Sequence, residues 1–266
     1  MQLKKRLITR LKASLAYRLG LVDAGHRVEN VYAGEVGTHN ESARIAWLEE
    51  ALTQVPAGAR ILDAGAGERR FETFCGHLNY VAQDFGQYDG KGNQAGLQMG
   101  SWDQTKLDII SDITDIPEPD SSFDAIMCVE VFEHLPSPLL ALKEFSRLLR
   151  SGGDLIITAP FCSLTHFAPY HFYTGFNQYF YKTHLPANGF DIVELRENGN
   201  FFEYLAQEIR RIPSMAELYA KDRPDQMEDE ASKITLNMLE RLSREGQSSA
   251  ELLHFGYHVR ARKNSE

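Results

Sequence analysis

Glycine and aspartate residues recur where apolar segments of this chain end. Asp63, Gly65 and Gly67 follow the apolar start of "ARILDAGAGERRFETF", Asp84 ends "YVAQD", and Asp112 ends "LDIISD". A carboxylate at a strand end can accept hydrogen bonds from ribose hydroxyls, an exocyclic amine or an ammonium group, and a glycine turn brings backbone N–H groups to a ligand. The pattern therefore predicts a site for a cationic or zwitterionic nucleoside.

The same turn argues against a dinucleotide ligand. A Gly-x-Gly-x-x-Gly fingerprint that begins at Gly65 needs glycine at position 70, where the chain has Arg70. That third glycine lets a helix pack closely on its strand beneath a pyrophosphate. We also expect Glu68 in the first turn of the following helix, where its carboxylate would repel a phosphate. A nicotinamide enzyme is therefore the weakest hypothesis for this site.

A second group of reactive side chains follows the predicted fifth strand, in "PFCSLTHFAPYHFYTGFNQYFYKTH". An apolar wall with a few polar tips is typical of a small-molecule pocket. His166 and His171 are the candidate catalytic residues, because a histidine can remove the proton of a hydroxyl acceptor. A structural, hydrogen-bonded role for both histidines stays open. The candidate substrate-binding residues are Phe167, Tyr170, Tyr173 and His134.

These histidines also raise the question of a metal ion. His166 and His171 could coordinate one together with Glu133 or His134. No compact ligand motif completes such a set in the sequence, so we predict that the chain holds no metal.

Strand-like and helix-like segments alternate from residue 60 onward, which predicts an α/β fold with a parallel sheet covered by helices on both faces. Helices are expected to open near Glu68, Pro138 and Thr174. The alternating polarity of the last segment predicts an edge strand with one exposed side. The predicted strands are 60–65, 80–85, 108–113, 123–130, 154–160, 190–195 and 252–262.

The first 20 residues differ from the rest of the chain. Leucine recurs at every fourth position from Leu3 to Leu19, and the segment has six basic residues and no acidic one. This predicts an amphipathic helix that packs on the domain, contacts an anionic membrane surface or forms a lid. We divide the chain into an N-terminal helical cap or lid, 1–58, and a main domain, 59–266. The main domain includes an acceptor-side loop and helix, 161–189, and a helical insertion, 213–251.

The bulk composition limits the function classes. The chain has 266 residues, 43% of them hydrophobic, with a mean hydropathy of −0.35 and a formal net charge of −9. These values are typical of a globular protein and disfavour a nucleic-acid partner, which requires a concentrated positive surface. With no apolar segment of membrane-spanning length and no secretory signal, we expect a cytoplasmic monomer or homodimer.

Five motifs in this order resemble those of the class I S-adenosylmethionine-dependent methyltransferases: "ILDAGAG", "VAQDF", "SDITDIPEPDSSFD", "IMCVEVFEHLPSP" and "LLRSGGDLIITAPF". The resemblance runs from about residue 59 to 195. Within that family, "EVFEHL" is most similar to the small-molecule (methyltransferase type 11-like) branch. The resemblance implies a Rossmann-like, seven-stranded, mostly parallel sheet with helices on both faces. It also implies an antiparallel last strand, an extra N-terminal helix and a helical insertion before that strand.

The resemblance further implies S-adenosyl-L-methionine as the cofactor. Gly65 and Gly67 would then pass close to its methionine portion, Asp84 would bind the ribose diol, Asp112 would face the adenine amine, and the backbone near Glu130 would approach the ammonium group. Any one of these acids could instead be a solvated strand-end carboxylate. The expected cofactor-binding residues are Asp63, Gly65, Gly67, Asp84, Asp112, Ile113 and Glu130.

The expected activity is methyl transfer to a hydroxyl or amine of a small molecule such as a sugar, a glycolipid precursor or a natural product. The strand exit "CVEVFEHLP" lacks an Asn/Asp-Pro-Pro-aromatic element, which disfavours an adenine amine or a glutamine side chain as the acceptor. One alternative is a quinone-type phenolic or ring-carbon acceptor, with residues 1–20 as a peripheral membrane contact. Another is a regulator that binds S-adenosylmethionine without catalysis.

Overall fold

A seven-stranded sheet forms the centre of the molecule in the computed structural model, which describes residues 34–265. The predicted basic helix of residues 1–20 lies outside the described residues. The strands are β1 (Arg60–Ala64), β2 (Asn79–Asp84), β3 (Ile109–Ile110), β4 (Phe123–Val129), β5 (Leu149–Pro160), β6 (Phe190–Asn198) and β7 (Gly256–Lys263).

The strand order is β3-β2-β1-β4-β5-β7-β6. The pairings among β1 to β5 are parallel, and β7 pairs antiparallel with both β5 and β6. This confirms the predicted Rossmann-like, mostly parallel sheet with an antiparallel last strand. Because β1, β2, β4 and β5 run in the same direction, their carboxyl ends meet at one edge of the sheet, where open α/β sheets bind ligands.

Five α-helices surround the sheet in the described part of the chain. They are α1 (Asn40–Thr53), α2 (Pro138–Leu148), α3 (Gln178–Ala187), α4 (Phe201–Met215) and α5 (Gln226–Glu245). Their first turns carry local signals: Pro138 opens α2, and the Asn177 and Asn200 side chains accept backbone N–H groups of α3 and α4. Asp225 and Glu228 form a capping box at α5.

Apolar side chains cover both faces of the sheet. Successive residues of a strand point to opposite faces, so Ile61 and Leu62 belong to different buried clusters. Ile61 shares its cluster with Trp47 of α1, whereas Leu62 shares its cluster with Phe145 of α2 and Tyr181 of α3. The helices thus hold the sheet from both sides and fix the edge at which its parallel strands end.

The prediction of a helix that opens near Glu68 is wrong. The structure has turns there, followed by a short 3₁₀ helix, Glu72–Phe74. Arg69 has φ of 60°, a left-handed conformation that an α-helix does not accept, and the Arg69 guanidinium donates to Glu72 at 2.7 Å. The residues after the glycine turn therefore form a compact loop, and Glu68 is exposed on it.

The last strand is not an edge strand, contrary to the prediction. β7 lies between β5 and β6, most of its residues are buried, and β6 occupies the sheet edge. Its polar side chains have partners inside the fold: Arg262 donates to Asp154 at 2.9 Å, and the His258 ring stacks on Trp47 at 4.8 Å between centroids. Alternating polarity in β7 therefore reflects polar side chains that contact neighbouring elements, with Arg262 half exposed, and not a position at the edge of the sheet.

Other boundaries also differ from the sequence predictions. The third strand contains only Ile109–Ile110, and α3 begins at Gln178, four residues after Thr174. Residues 161–177 consequently form an irregular segment over the carboxyl ends of β4 and β5.

The predicted insertion at 213–251 contains α5, while α4 ends within it. Val36, Ala206, Leu236 and Leu239 form a separate buried cluster with these helices. None of the described helices is both long and apolar enough to cross a lipid bilayer.

Candidate functional site

The glycine turn is built by close contacts that leave no room for a side chain. Gly65 and Gly67 have φ of 82° and 52°, and the Gly65 N–H donates to the Gln83 carbonyl at 2.9 Å. A Cβ on Gly65 would lie 2.5 Å from Cγ2 of Val131, and one on Gly67 would lie 2.5 Å from Cζ2 of Trp102. Glycine is therefore required at both positions by conformation and by space.

Asp84 binds to this turn directly. One carboxylate oxygen accepts the Gly67 N–H at 3.0 Å, while the other accepts the Gly86 N–H at 3.0 Å and the Gln104 amide at 2.8 Å. The carboxylate is buried at the end of β2. Its partners are all N–H donors, so this position selects donor groups of the kind that ribose hydroxyls supply.

Asp63 lies beneath the turn and not at its surface. Its carboxylate accepts the Tyr80 hydroxyl at 2.6 Å. Burial raises the pKa of Asp63 to about 7, and the nearby Asp84 carboxylate raises it further while the Tyr80 hydrogen bond opposes the shift. We interpret Asp63 as support for the turn from within the core.

The remaining predicted cofactor residues lie along the same edge. Asp112 caps its own turn, since one of its oxygens accepts the backbone N–H and the hydroxyl of Thr114, each at 2.8 Å. Ile113 is buried in the core. Glu130 has φ of 55°; its carboxylate accepts the Thr158 hydroxyl at 2.9 Å and pairs with Arg44 at 3.1 Å.

The segment 86–106 covers the turn and carries site residues that the sequence analysis missed. The Trp102 ring contacts Tyr88 and Phe167 edge-on, each at 5.6 Å between centroids, and Tyr88 stacks on Phe167 at 4.7 Å. Leu97 pairs through its backbone with Phe167 at 2.9 Å. The only sequence signal was the length and glycine content of the segment, which predicted a loop but no contacts.

Three histidine rings meet on the other side of Phe167. His134 lies 4.6 Å from His166 and 6.0 Å from His171, and the last two are 4.8 Å apart. His134 stacks on Phe167 at 5.1 Å. The structure therefore brings together the two predicted catalytic histidines and two of the predicted substrate-binding residues.

The hydrogen bonds of these histidines differ. His134 Nδ1 bonds the Tyr170 carbonyl at 2.5 Å, and His166 Nδ1 bonds the Leu164 carbonyl at 2.8 Å. His171 Nε2 bonds the Ser163 hydroxyl at 3.2 Å. Burial, together with the charges of the other two histidines, lowers the pKa of His134 to about 3, and burial lowers the pKa of His171.

Glu133 lies next to these rings and is almost completely buried, with 1% of its side chain exposed. One carboxylate oxygen is 3.7 Å from His134 Nε2 and 3.8 Å from His166 Nε2, whereas the other has no hydrogen-bond partner in the described part of the chain. Burial and the neighbouring Glu130 carboxylate raise the pKa of Glu133 well above its usual range. The sequence offered Glu133 or His134 as a possible metal ligand beside His166 and His171, but no compact motif predicted this group, because Glu133 and His134 are 32 residues or more before His166 in the chain.

Tyr170 and Tyr173 are predicted substrate-binding residues, but their rings pack against residues other than the three histidines. The Tyr170 ring packs edge-on against Phe85 at 4.9 Å. Tyr173 is partly exposed, donates its hydroxyl to the Pro136 carbonyl at 3.3 Å, and lines a surface cavity of about 510 Å³ with Phe176. A second cavity of about 380 Å³ is lined by residues that include Leu97, Leu164, Thr165 and Arg211.

The strand order and the glycine turn define a Rossmann-like fold of the methyltransferase class. Residues 62–157 match the family model described as a methyltransferase domain. This confirms the resemblance over the segment that carries the turn, Asp84 and Glu133.

Two curated relatives and one solved structure extend this comparison. The chain is 30% identical over 105 residues to a ubiquinone biosynthesis O-methyltransferase of Xanthomonas oryzae pv. oryzae, covering 38% of this chain and 43% of that protein. It is 31% identical over 174 residues to a demethylmenaquinone methyltransferase of Renibacterium salmoninarum, covering 64% of this chain and 66% of that protein. The chain therefore spans less than half of the first relative's length.

A crystal structure of a SAM-dependent methyltransferase from Archaeoglobus fulgidus superposes with a TM-score of 0.52 at 18% identity, covering 84% of this chain and 94% of that chain. This likeness establishes the fold of the described residues.

Proposed function

We propose that this chain is an S-adenosylmethionine-dependent methyltransferase that acts on a small molecule. The observation that carries the proposal is the glycine turn with Asp84 hydrogen-bonded to it, inside a segment that matches a methyltransferase domain. The acceptor atom in this proposal is a hydroxyl oxygen or an amine nitrogen.

The residues at the edge fit the proposed cofactor. Gly65 and Gly67 leave space for a close approach, and Asp84 would accept the ribose hydroxyls once the Gln104 amide moves aside. Asp112 and Glu130 add carboxylates on either side of the turn for an amine and an ammonium group. S-adenosylmethionine supplies a methyl group on a sulfonium leaving group, so the protein mainly needs to align the acceptor with it.

A hydroxyl acceptor also requires a base, and the histidines differ in their capacity to act as one. His134 stays neutral near pH 7, because its pKa is about 3, so it is suited to orienting a substrate and not to holding a proton. His166 and His171 remain the candidate bases. Phe167 stacks on the Tyr88 ring and on the His134 ring, and it is the proposed apolar wall between the cofactor and the acceptor.

A second acceptor class is supported by the names of two relatives, which are a ubiquinone biosynthesis O-methyltransferase and a demethylmenaquinone methyltransferase. We propose a quinone-type phenol or ring carbon as the alternative acceptor. Under this alternative, the basic segment 1–20 would bind anionic vesicles, and its deletion would abolish that binding.

The test measures cofactor binding and methyl transfer separately. Calorimetric titration should detect S-adenosylmethionine binding, while NAD⁺ at the same concentration should give no heat of binding. Radiolabelled methyl incorporation into a panel of sugars, amines and quinone precursors should then identify the acceptor class. Binding of NAD⁺ in place of S-adenosylmethionine would overturn the proposal. Cofactor binding with no transfer to any acceptor would favour a non-catalytic regulator.

A further inference from the structure

Glu133, His134 and His166 place three potential metal ligands around one point. One ligand atom from each residue lies within 4.8 Å of the other two. The side chains are 1%, 14% and 22% exposed, so water has limited access to the group. The methyltransferase mechanism proposed above does not require Glu133.

The backbone fixes which nitrogen of each histidine is available. Nδ1 of His134 and Nδ1 of His166 both face a carbonyl oxygen, which can only accept a hydrogen bond. In a neutral imidazole the hydrogen is therefore on Nδ1, and Nε2 has a free lone pair. Both Nε2 atoms face the same Glu133 oxygen, at 3.7 and 3.8 Å.

This arrangement brings acceptors together without a donor between them. The distances are too long for direct hydrogen bonds, so a proton on Glu133 would not bridge the carboxyl group to either ring. The second Glu133 oxygen is buried and has no hydrogen-bond partner among residues 34–265, and such a group is costly to leave unpaired. A cation between the three side chains would satisfy all three at once.

The site is also rigid. The backbone N–H groups of Phe172 and Tyr173 donate to the Glu133 carbonyl at 2.9 and 3.2 Å, which connects the strand exit to the histidine segment. A backbone carbonyl on the second nitrogen of a histidine is the usual outer support of a metal ligand, because it sets the tautomer and the ring orientation.

We propose that Glu133, His134 and His166 bind one divalent transition-metal ion of the zinc class. Two imidazoles and one carboxylate form a known ligand set for catalytic zinc, with a fourth position left for water or a substrate atom. Ligands at zinc distances are about 3.4 Å apart, so the two distances from the Glu133 oxygen, 3.7 and 3.8 Å, need to close by a few tenths of an ångström. The histidine ligand atoms lie within 4.8 Å of each other and need to close by at most about 1.4 Å. Imidazole ligands favour zinc, iron, cobalt or nickel over magnesium.

The inference goes beyond the proposed methyl transfer and reverses the metal-free expectation drawn from the sequence. It also separates the roles of the histidines. If Nε2 of His166 coordinates a metal, His171 becomes the candidate base for a hydroxyl acceptor.

The experiment uses the purified full chain after treatment with a chelator and dialysis. Zinc is titrated by calorimetry, and cobalt is added separately to read the visible absorption of its coordinated form. We expect one zinc per chain and a cobalt spectrum typical of nitrogen and oxygen ligands. Glu133→Gln and His166→Asn should each lower zinc affinity at least about 100-fold, since even the loss of an outer-shell partner costs 10- to 100-fold.

His184→Asn is the matched control, because His184 lies on α3 and packs on Phe180 outside the group. It should bind zinc as the wild type does. Thermal unfolding of each metal-free variant checks folding. His166→Asn provides the test if Glu133→Gln fails to fold, since His166 is the more exposed of the two.

Zinc binding that is equal in wild type and His166→Asn, or no zinc uptake by the wild type, would overturn the metal site. If methyl transfer is present in that case, the proposed function stands without the metal. Zinc uptake by a chain that does not bind S-adenosylmethionine would support the metal site and overturn the proposed function instead.

Discussion

The two halves of the carboxyl edge are built in opposite ways. In the turn half, the ends of β1 and β2, the Asp84 carboxylate is surrounded by N–H donors of Gly67, Gly86 and Gln104. In the histidine half, the exits of β4 and β5, one oxygen of the Glu133 carboxyl group faces Nε2 of His134 at 3.7 Å and Nε2 of His166 at 3.8 Å. In the turn half the carboxylate charge is stabilised by N–H donors, whereas in the histidine half Arg44 pairs with Glu130 and the described residues place no cation between Glu133 and the two rings.

This difference indicates which kind of ligand each half can bind. Donors around a carboxylate hold it in place for a neutral, hydroxyl-bearing ligand that can exchange with one of them. Acceptors around a carboxylate leave a position that suits a cation. Substitutions confined to one half should therefore change the binding of that half's ligand alone.

The largest effect is expected for Gly65→Val in the turn half. The new side chain would meet Val131 at 2.5 Å and would be forced into a left-handed conformation at φ of 82°. We expect S-adenosylmethionine affinity to fall at least about 100-fold by calorimetry, because strain and a clash of this kind cost several kcal/mol.

Gly76→Ala is the matched control for this change. A Cβ at Gly76 meets nothing within 4 Å, so binding should be unchanged. Wild-type affinity in Gly65→Val would show that the turn does not hold the cofactor.

Asp84→Asn should weaken cofactor binding, and its amide NH₂ should also lose at least one of the hydrogen bonds that the carboxylate accepts from Gly67, Gly86 and Gln104. Asparagine keeps the shape but loses the charge that strengthens hydrogen bonds to the buried carboxylate, which are worth about 1.5–3 kcal/mol. We expect Kd for S-adenosylmethionine to rise about 10- to 150-fold in a calorimetric titration.

Asp89→Asn controls for a loss of charge on the same segment. Asp89 is exposed and accepts the backbone N–H groups of Lys91 and Gly92 within its own loop. Equal effects of the two substitutions would show that Asp84 acts through net charge and not through contact with the ligand.

The free energy of unfolding should change with pH in opposite directions for Asp63 in the turn half and His134 in the histidine half. Asp63 has a folded pKa of about 7, above its ordinary value of 3.8, so it gains a proton on folding and makes the protein less stable as pH rises through this window. His134 has a folded pKa of about 3, below its ordinary 6.5, so it loses a proton on folding and makes the protein less stable as pH falls below 6.5.

Urea unfolding between pH 4.5 and 6.5 measures both effects in metal-free protein. Asp63→Asn should make the slope of unfolding free energy against pH more positive by up to about 1.4 kcal/mol per unit, and His134→Asn should make it more negative by a similar amount. Parallel curves for wild type and both variants would contradict the assigned protonation states.

The smallest effect is expected for Trp102→Ala, which removes the ring that lies between the halves. Trp102 contacts Tyr88 and Phe167, and aromatic pairs of this type contribute about 0.5–1.5 kcal/mol. If segment 86–106 closes over the cofactor, its dissociation rate in stopped-flow measurements should rise about 2- to 12-fold. Met99→Ala, an exposed change on the same segment, should leave the rate unchanged.

Sequence reasoning reached the turn half because its signals are local. Asp63, Gly65 and Gly67 are adjacent in the chain, and Asp84 ends the next strand, so strand direction alone predicts that they meet. The parallel order of β1 to β5 follows from the same alternation of segments.

The histidine half was only partly predictable. The sequence indicated His166 and His171, with Glu133 or His134 as a possible further metal ligand. It did not indicate that Glu133, His134 and His166 form one group, or that Tyr88, Trp102 and Gln104 are site residues. Those contacts join segments far apart in the chain, and no spacing rule encodes them. The errors at Glu68 and β7 have similar causes. A left-handed Arg69 ends the expected helix, and contacts with Asp154 and Trp47 place polar side chains on a central strand.

The position of β7 between β5 and β6 has a consequence for how the molecule is made. During synthesis on the ribosome, β6 emerges before the strand that becomes its sheet neighbour, and α4 and α5 are translated in between. Until β7 arrives, the long strand β5 exposes an unpaired hydrogen-bonding edge, which is a site for aggregation or for chaperone binding. The carboxyl edge of β1, β2 and β4 can form earlier, so the nascent chain would assemble its turn half before the opposite flank of the sheet is complete.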